Sequence, residues 1–118
     1  MNESIIKTKS FEFAVKSVFL TKELKKNQRE YTLSNQYLRS STSVGANIRE
    51  SRNAQTKPDF IHKLTISQKE CDEAIYWLEL LLATGYIDKN RFDELNQLAT
   101  EILRILKRSI LTAKGNLK

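Results

Sequence analysis

The chain has 118 residues and a mass of 13.7 kDa, which suits one domain that buries a core without disulfides or metals. Only three glycines and one proline accompany 40% hydrophobic and 29% charged residues, so the composition favours a few long helices and excludes sheet sandwiches, collagen-like chains and disordered chains. Twenty Lys and Arg against fourteen Asp and Glu leave a net charge of +6, which suits an anionic partner such as nucleic acid.

Neither the cysteine content nor the apolar runs point to secretion or to a membrane. The single cysteine, Cys71, has no intramolecular disulfide partner, and residues 1–7 have no apolar signal-peptide core. The longest apolar run, residues 75–83, is interrupted by Glu79 and is shorter than the roughly 20 residues that cross a bilayer. We therefore expect a cytoplasmic protein with no membrane-spanning segment.

Helix start and stop signals divide the chain into four segments. Residues 27–32 are polar and aperiodic, which predicts a loop between the first two helices. Thr56, Pro58 and Asp59 are typical of a helix start. Gly85 is placed to end that helix, and Asp88 to cap the next one. The prediction is a single domain over residues 1–118, with helices at about 10–27, 33–55, 58–84 and 88–114.

Each segment carries apolar residues at helical spacing, and the loops that join the segments are short. Such a pattern predicts an all-α fold, an antiparallel up-down-up-down four-helix bundle. The predicted core stripes are Phe11, Val15, Val18 and Phe19; Leu33, Tyr37, Val44 and Ile48; Phe60, Leu64, Cys71, Ala74, Ile75, Leu78 and Leu82; and Phe92, Leu95, Ala99, Ile102, Leu106 and Ile110.

A second apolar face predicts self-association. Phe13, Leu20 and Leu24 lie opposite Val15 on the first helix, and Trp77 lies outside the main stripe of the third. Soluble monomers rarely expose large apolar patches, so these four residues are the predicted interface of a homo-oligomer. The alternative is that they are scattered exposed apolar residues, which are common on proteins.

The run of small residues at 40–47 is unusual inside a helix, because serine, threonine and glycine lower helix propensity. Close packing against a neighbouring helix, with hydroxyls bonded to the preceding turn, is the preferred interpretation. A phosphate-binding loop is the alternative. It is disfavoured because Gly45 stands alone and no Lys-Ser/Thr pair follows it.

Polar residues flank the apolar stripes of the second and third helices. Charges beside an apolar strip should be paired, so Asn47, Arg49, Glu70 and Glu73 are predicted to form a network between helices or protomers. A catalytic or metal-binding role for the carboxylates is the alternative. A di-metal bundle needs Glu-x-x-His motifs, and the chain has one histidine.

One stretch of sequence resembles a known family. Residues 38–50, Leu-Arg-Ser-Ser-Thr-Ser-Val-Gly-Ala-Asn-Ile-Arg-Glu, followed by Asp59-Phe60, Lys69-Glu70, Glu73 and Tyr76-Trp77-Leu78, are similar to the four-helix-bundle family of 23S rRNA intervening-sequence proteins. The likeness spans nearly the whole chain. It implies protomers that assemble into rings, commonly pentamers. It also implies similarity to the accessory variability determinant of diversity-generating retroelements, which binds nucleic acid and a reverse transcriptase.

The resemblance also bears on individual residues. The family's polar positions match Asn47, Arg49, Glu50, Glu70 and Glu73, which adds Glu50 to the predicted structural network. It supplies no catalytic residue, no cofactor and no metal ligand.

Enzymatic chemistry finds no support in the sequence. His62 and Cys71 are nine residues apart on one helix, hence on opposite faces, and cannot form a catalytic pair or share a metal within a protomer. Cys71 falls on the core stripe, where a small buried apolar role is expected. With no nucleophile elbow and no Gly-rich cofactor loop either, we predict a protein that is not an enzyme.

Two clusters of basic residues are the candidate nucleic-acid site. They are Lys22, Lys25, Lys26 and Arg29 at the end of the first helix, and Arg104, Lys107, Arg108 and Lys114 on the polar side of the C-terminal half of the fourth. Because no recognition-helix motif is present, binding should follow the phosphate backbone with little sequence preference. Alternatively, these cations only complement helix dipoles, and the protein is an adaptor that binds another protein and no nucleic acid.

Overall fold

The computed structural model describes residues 3–115, and those residues form four helices. The outermost residues of the predicted domain, 1–2 and 116–118, lie outside this range. The helices are α1 (Glu3–Gln28), α2 (Thr32–Ser51), α3 (Lys57–Ala83) and α4 (Lys89–Gly115), and no strand occurs within the described residues. They make an elongated all-α bundle of 51 × 22 × 20 Å.

Three helix ends form as their sequence signals predict. The Thr56 side chain accepts a hydrogen bond from the Asp59 N–H at the start of α3. Gly85 ends α3 with a φ of +82°, a conformation that suits glycine because it has no Cβ. The Asp88 carboxylate accepts a hydrogen bond from the Arg91 N–H at the start of α4.

Two helix bounds differ from the prediction. α1 begins at Glu3 instead of about residue 10, because its first turns contribute Ile6 to the core. α2 ends at Ser51 instead of about residue 55. There the backbone tightens into a 3₁₀-type turn, in which each N–H donates to the carbonyl three residues earlier: Arg52 to Arg49 and Asn53 to Glu50.

Consecutive helices are antiparallel neighbours, and α4 also packs on α1, so α1 and α3 are diagonal. Three polar contacts fix the register. The Ser17 and Tyr37 hydroxyls lie 2.7 Å apart between α1 and α2. Ser67 donates to the Val44 carbonyl between α3 and α2. The Cys71 thiol donates to the Ala99 carbonyl between α3 and α4.

The core follows an alternating three- and four-residue spacing along every helix, which is typical of knobs-into-holes packing in helix bundles. The buried positions that follow this spacing are 6, 10, 13, 17, 20 and 24 on α1; 34, 37, 41, 44, 48 and 51 on α2; 64, 67, 71, 74, 78 and 81 on α3; and 95, 99, 102, 106, 109 and 113 on α4. The predicted stripes of α2, α3 and α4 lie on or beside these positions.

The predicted core face of α1 is wrong. Phe11 is 64% exposed and Phe19 is 58% exposed, whereas Phe13, Leu20 and Leu24 are buried inside the protomer. These last three residues therefore cannot form the outer patch that the sequence assigned to them. α1 is apolar on most of its circumference, and its core face also contains Ser10, Ser17 and Thr21, which weakened the hydrophobic signal of that face.

The fourth predicted interface residue, Trp77, is half-buried and packs against the core. Its ring meets the neighbouring Tyr76 ring edge-on, with centroids 5.0 Å apart. Tyr76 is the more exposed aromatic of the pair, at 54%.

The small residues of α2 are confirmed as a close-packing device. Ser40 and Ser41 are buried, and both hydroxyls donate to carbonyls of the preceding turn. A Cβ at Gly45 would lie 3.4 Å from the Ser10 Oγ, which shows how closely α1 approaches α2 at this point. Gly45 is thus part of a helix–helix contact.

Candidate functional site

The predicted basic residues fall into two groups at opposite ends of the bundle. We call Lys22, Lys25, Lys26 and Arg29 the α1 pole, and Arg104, Lys107, Arg108 and Lys114 the α4 pole. The end of α1 lies beside the start of α4, where Arg91 pairs with Glu23, and Lys9 pairs with Glu101 toward the other end. This register separates the two poles by about 30 Å along the axis.

The cations of the α1 pole and the α4 pole differ from the cations in the middle of the bundle in having no carboxylate partner among the described residues. None of the eight pole residues has a carboxylate partner within the described part of the chain; the Lys22 ammonium lies 6.0 Å from the Phe19 ring centre. Seven of the eight are exposed, and Lys25 is half-buried. Most of their positive charge therefore faces solvent.

Cations along the seam between α1 and α4 are neutralised instead. Lys9 pairs with Glu101 at 2.7 Å, Lys16 with Glu94 at 2.9 Å, and Arg91 with Glu23 at 2.7 Å. The hydrogen bond that Lys9 donates to Glu101 raises the pKa of Lys9, and the one that Lys16 donates to Glu94 raises the pKa of Lys16. These pairs hold two neighbouring helices in register and contribute little free charge.

The predicted polar network forms with a different arginine. Glu70 and Glu73 both accept hydrogen bonds from Arg39, at 3.3 and 2.6 Å, so the predicted partnership with Arg49 within the protomer is wrong. Because α2 and α3 are antiparallel, residue 39 lies opposite residues 70–73. Residue 49 lies about 15 Å further along α2.

The other predicted network members are dispersed. Glu50 pairs with Lys63, and the Asn47 side chain donates to the Ser43 carbonyl of its own helix. Arg49 is exposed and has no carboxylate partner among residues 3–115. The partner that the sequence analysis missed, Arg39, lies on α2 immediately before the small-residue run at 40–47.

An exposed apolar ridge runs along the outer face of α1. It consists of Phe11, Val15 and Phe19, spaced four residues apart, and all three are exposed. The sequence placed these residues in the core, so the ridge was missed as a surface feature. An apolar face of this kind is typical of a protein–protein contact.

A groove of about 700 Å³ lies between α1 and α2, beside this ridge. Phe11 forms one wall, and Lys7 and Arg49 stand at the end nearer the N-terminus of α1. Its floor is lined by small residues, among them the two that bring α1 and α2 into close contact, Ser10 and Gly45; the others are Ala14, Thr42 and Ala46.

The remaining titratable candidates are placed as the sequence indicated. Burial raises the pKa of the Cys71 thiol to about 12, so the reactive thiolate is scarce near neutral pH. His62 is exposed on α3. Among the residues that the structure describes, no group of His, Cys, Asp and Glu is arranged to hold a metal, and no helix has the length and hydropathy to cross a membrane.

Comparisons with known proteins agree with this architecture. A crystal structure of a protein of unknown function from the S23 ribosomal protein family of Bacteroides thetaiotaomicron is 48% identical, with a TM-score of 0.91, and the match covers 93% of this chain and 98% of that one. No curated protein matches significantly. The family model described as 23S rRNA-intervening sequence protein matches residues 2–108. The four-helix bundle and this match together establish that the chain belongs to the 23S rRNA-intervening sequence protein family.

Proposed function

We propose that the chain is a non-enzymatic, self-associating, cytoplasmic accessory protein that binds RNA or DNA through its two basic poles. The observation that carries this proposal is the difference between the paired and unpaired cations. Within the described residues, Lys9, Lys16 and Arg91 form ion pairs along the bundle, whereas all eight pole cations lack a carboxylate partner. Charge that is not needed inside the protomer is available to phosphates.

Self-association strengthens the nucleic-acid proposal. Each protomer contributes a net charge of +6, so an assembly repeats both poles around its surface. The ridge of Phe11, Val15 and Phe19 supports this association, because burying it removes apolar surface from water. The resemblance to ring-forming proteins favours a pentamer, in an RNA or retroelement context with a reverse transcriptase or another protein as partner.

Binding should depend strongly on salt and weakly on sequence. If about five phosphates are neutralised, the logarithm of affinity should fall against the logarithm of salt concentration with a slope of about −4.5 on duplex DNA and about −3.5 on single strands. Fluorescence anisotropy with two labelled 30-nucleotide RNAs of unrelated sequence, and with a 30-base-pair duplex DNA, measures both properties.

A matched pair of variants tests the assignment of the poles. Replacing Lys107 and Arg108 with Gln should weaken binding to all three probes about equally and make the slope shallower by about one per lost phosphate contact. The control replaces the seam cations Lys9 and Lys16 with Gln. It removes the same charge from cations that are already paired with Glu101 and Glu94, and should change binding little.

The same ridge favours a second candidate function, a structural adaptor that binds another protein and no nucleic acid. The salt titration separates the two. If the intact protein binds none of the three probes at 50 mM salt, the nucleic-acid proposal is wrong and the adaptor function replaces it.

A further inference from the structure

We propose that the groove between α1 and α2 receives an acidic strip on α3 of a second copy of this chain. This inference rests on the proposed self-association and adds the two surfaces that meet. The strip consists of Asp72, Tyr76 and Glu79, which share one face of α3 and are all exposed.

The shapes of the two surfaces correspond. The groove of about 700 Å³ has a floor of small side chains and is bordered by the exposed ring of Phe11. The strip carries an exposed aromatic ring, Tyr76, at its centre. A tyrosine ring suits such a groove because it buries a large rigid surface while its hydroxyl reaches a polar edge.

The charges of the two surfaces are opposite. The charged residues that line the groove are three cations, Lys7, Arg49 and Arg52, and one carboxylate, Glu50, which is already paired with Lys63. Lys7 and Arg49 form no ion pair within the described part of their own protomer. Asp72 and Glu79 likewise form no ion pair with described residues, and residues 58–84 carry five carboxylates against two cations. Contact between the two surfaces would neutralise charges that the single protomer leaves unmatched.

The positions of the two surfaces determine the kind of contact. α1 and α3 are diagonal in the bundle, so the groove and the strip face different directions. A contact between them is head-to-tail: it uses the groove of one protomer and the strip of the other. The strip of the first protomer and the groove of the second stay available for further copies. Such heterologous contacts build closed rings or open filaments instead of symmetric dimers. The ridge continues from Phe11 along α1 and extends the apolar part of the contact.

Charge reversal tests the pairing. One variant, Lys7→Glu/Arg49→Glu, makes the groove acidic, and another, Asp72→Lys/Glu79→Lys, makes the strip basic. Each should raise the concentration for half-dissociation at least about 100-fold, as measured by light scattering over a micromolar dilution series, because like charges then face each other. The control Lys107→Glu/Arg108→Glu changes net charge as much as the groove variant and should keep the wild-type mass.

Mixing the two variants supplies the decisive measurement. The acidic groove of one variant matches the basic strip of the other, and the unchanged strip and groove also match, so the mixture should form assemblies larger than either variant forms alone. Because the two variants must alternate, these assemblies are even-numbered rings or open chains and not a five-membered ring. Circular dichroism of each variant should report the wild-type helix content. If the wild-type chain is monomeric at these concentrations, self-association itself is wrong. If it is oligomeric and either variant keeps the wild-type mass, or the mixture forms nothing larger than the separate variants, only this pairing of surfaces is wrong.

Discussion

Glu30 is a residue whose structural role the sequence concealed. It lies in the short loop before α2, where the N-cap residue Tyr31 makes no side-chain cap. The Glu30 carboxylate supplies the cap, because it accepts hydrogen bonds from the Leu33 N–H at 2.9 Å and from the Ser34 N–H at 2.7 Å. The usual capping signals place the capping side chain at the N-cap itself, one position later than Glu30. The sequence analysis therefore found no capping residue in this loop.

The pKa of Glu30 makes this cap sensitive to acid. Burial alone would raise the pKa, but the hydrogen bonds from Leu33 and Ser34 outweigh it and lower the pKa below its ordinary value of 4.5. A carboxylate with a lowered folded-state pKa stabilises the protein above its unfolded pKa, and this contribution is lost as the pH falls through the folded value.

We therefore expect Glu30→Ala to lower the free energy of unfolding by about 1–2 kcal/mol at pH 7, the usual cost of losing a cap. The deficit relative to wild type should shrink as the pH falls below the ordinary carboxylate pKa of 4.5, because the cap contributes less stability as the Glu30 carboxylate takes up a proton. Urea midpoints at pH 7, 5 and 3.5 measure both effects. Glu12→Ala, at an exposed position of α1, is the control and should cost less than about 0.5 kcal/mol. A deficit that stays constant with pH would contradict the assignment.

At the scale of elements, the sequence predicted α2, α3 and α4 better than α1. The stripes of those three helices were found because Tyr37, Leu78 and Leu106, for example, are large apolar side chains at core positions. On α1 the buried positions include Ser17, whose hydroxyl pairs with the Tyr37 hydroxyl, so the core position looked polar. The buried positions from Ile6 to Leu24 are spaced alternately four and three residues apart. This spacing identifies the buried face if small hydroxyl residues are counted as possible core residues.

The contact between α2 and α3 carries the next prediction. Arg39 bonds to both Glu70 and Glu73, and its side chain is 56% exposed. Glu70→Ala should cost about 1 kcal/mol or less, since Arg39 keeps its second carboxylate and solvent weakens the pair. Arg39→Ala should cost more, because two carboxylates one turn apart are then left unneutralised. Urea midpoints compare the two variants.

The opposite order of these two midpoints would contradict the shared-arginine arrangement. A cost of about 3–5 kcal/mol for Glu70→Ala would mean that its partner is a buried, stranded cation. Arg108→Ala is the control. It removes an exposed arginine that has no carboxylate partner within the described part of the chain, and it should leave the midpoint nearly unchanged.

At the scale of the whole molecule, the positions of the basic clusters were predictable and the surfaces between them were not. Residues 22–29 lie at the C-terminal end of α1, and residues 104–114 lie toward the C-terminal end of α4. Because α1 and α4 are antiparallel, these two ends lie at opposite poles of the bundle. The α1–α2 groove depends on how closely two helices approach at Gly45, and the ridge depends on which face of α1 turns inward. Both are consequences of tertiary packing that helical periodicity does not specify when a helix is apolar on most sides.

Substitutions at two adjacent residues of α1 test which face of the helix is buried and whether the ridge is the oligomer interface. Phe19 is 58% exposed on the ridge, and Leu20 is 2% exposed in the core. Phe19→Glu should keep the helix content and lower the mass seen by light scattering, because a charge is costly there only if a partner covers it. Leu20→Glu should destabilise the protomer by about 3–5 kcal/mol, because it buries an unpaired carboxylate. Wild-type stability for Leu20→Glu would contradict the packing of α1, and an unchanged assembly for Phe19→Glu would exclude the ridge as its interface.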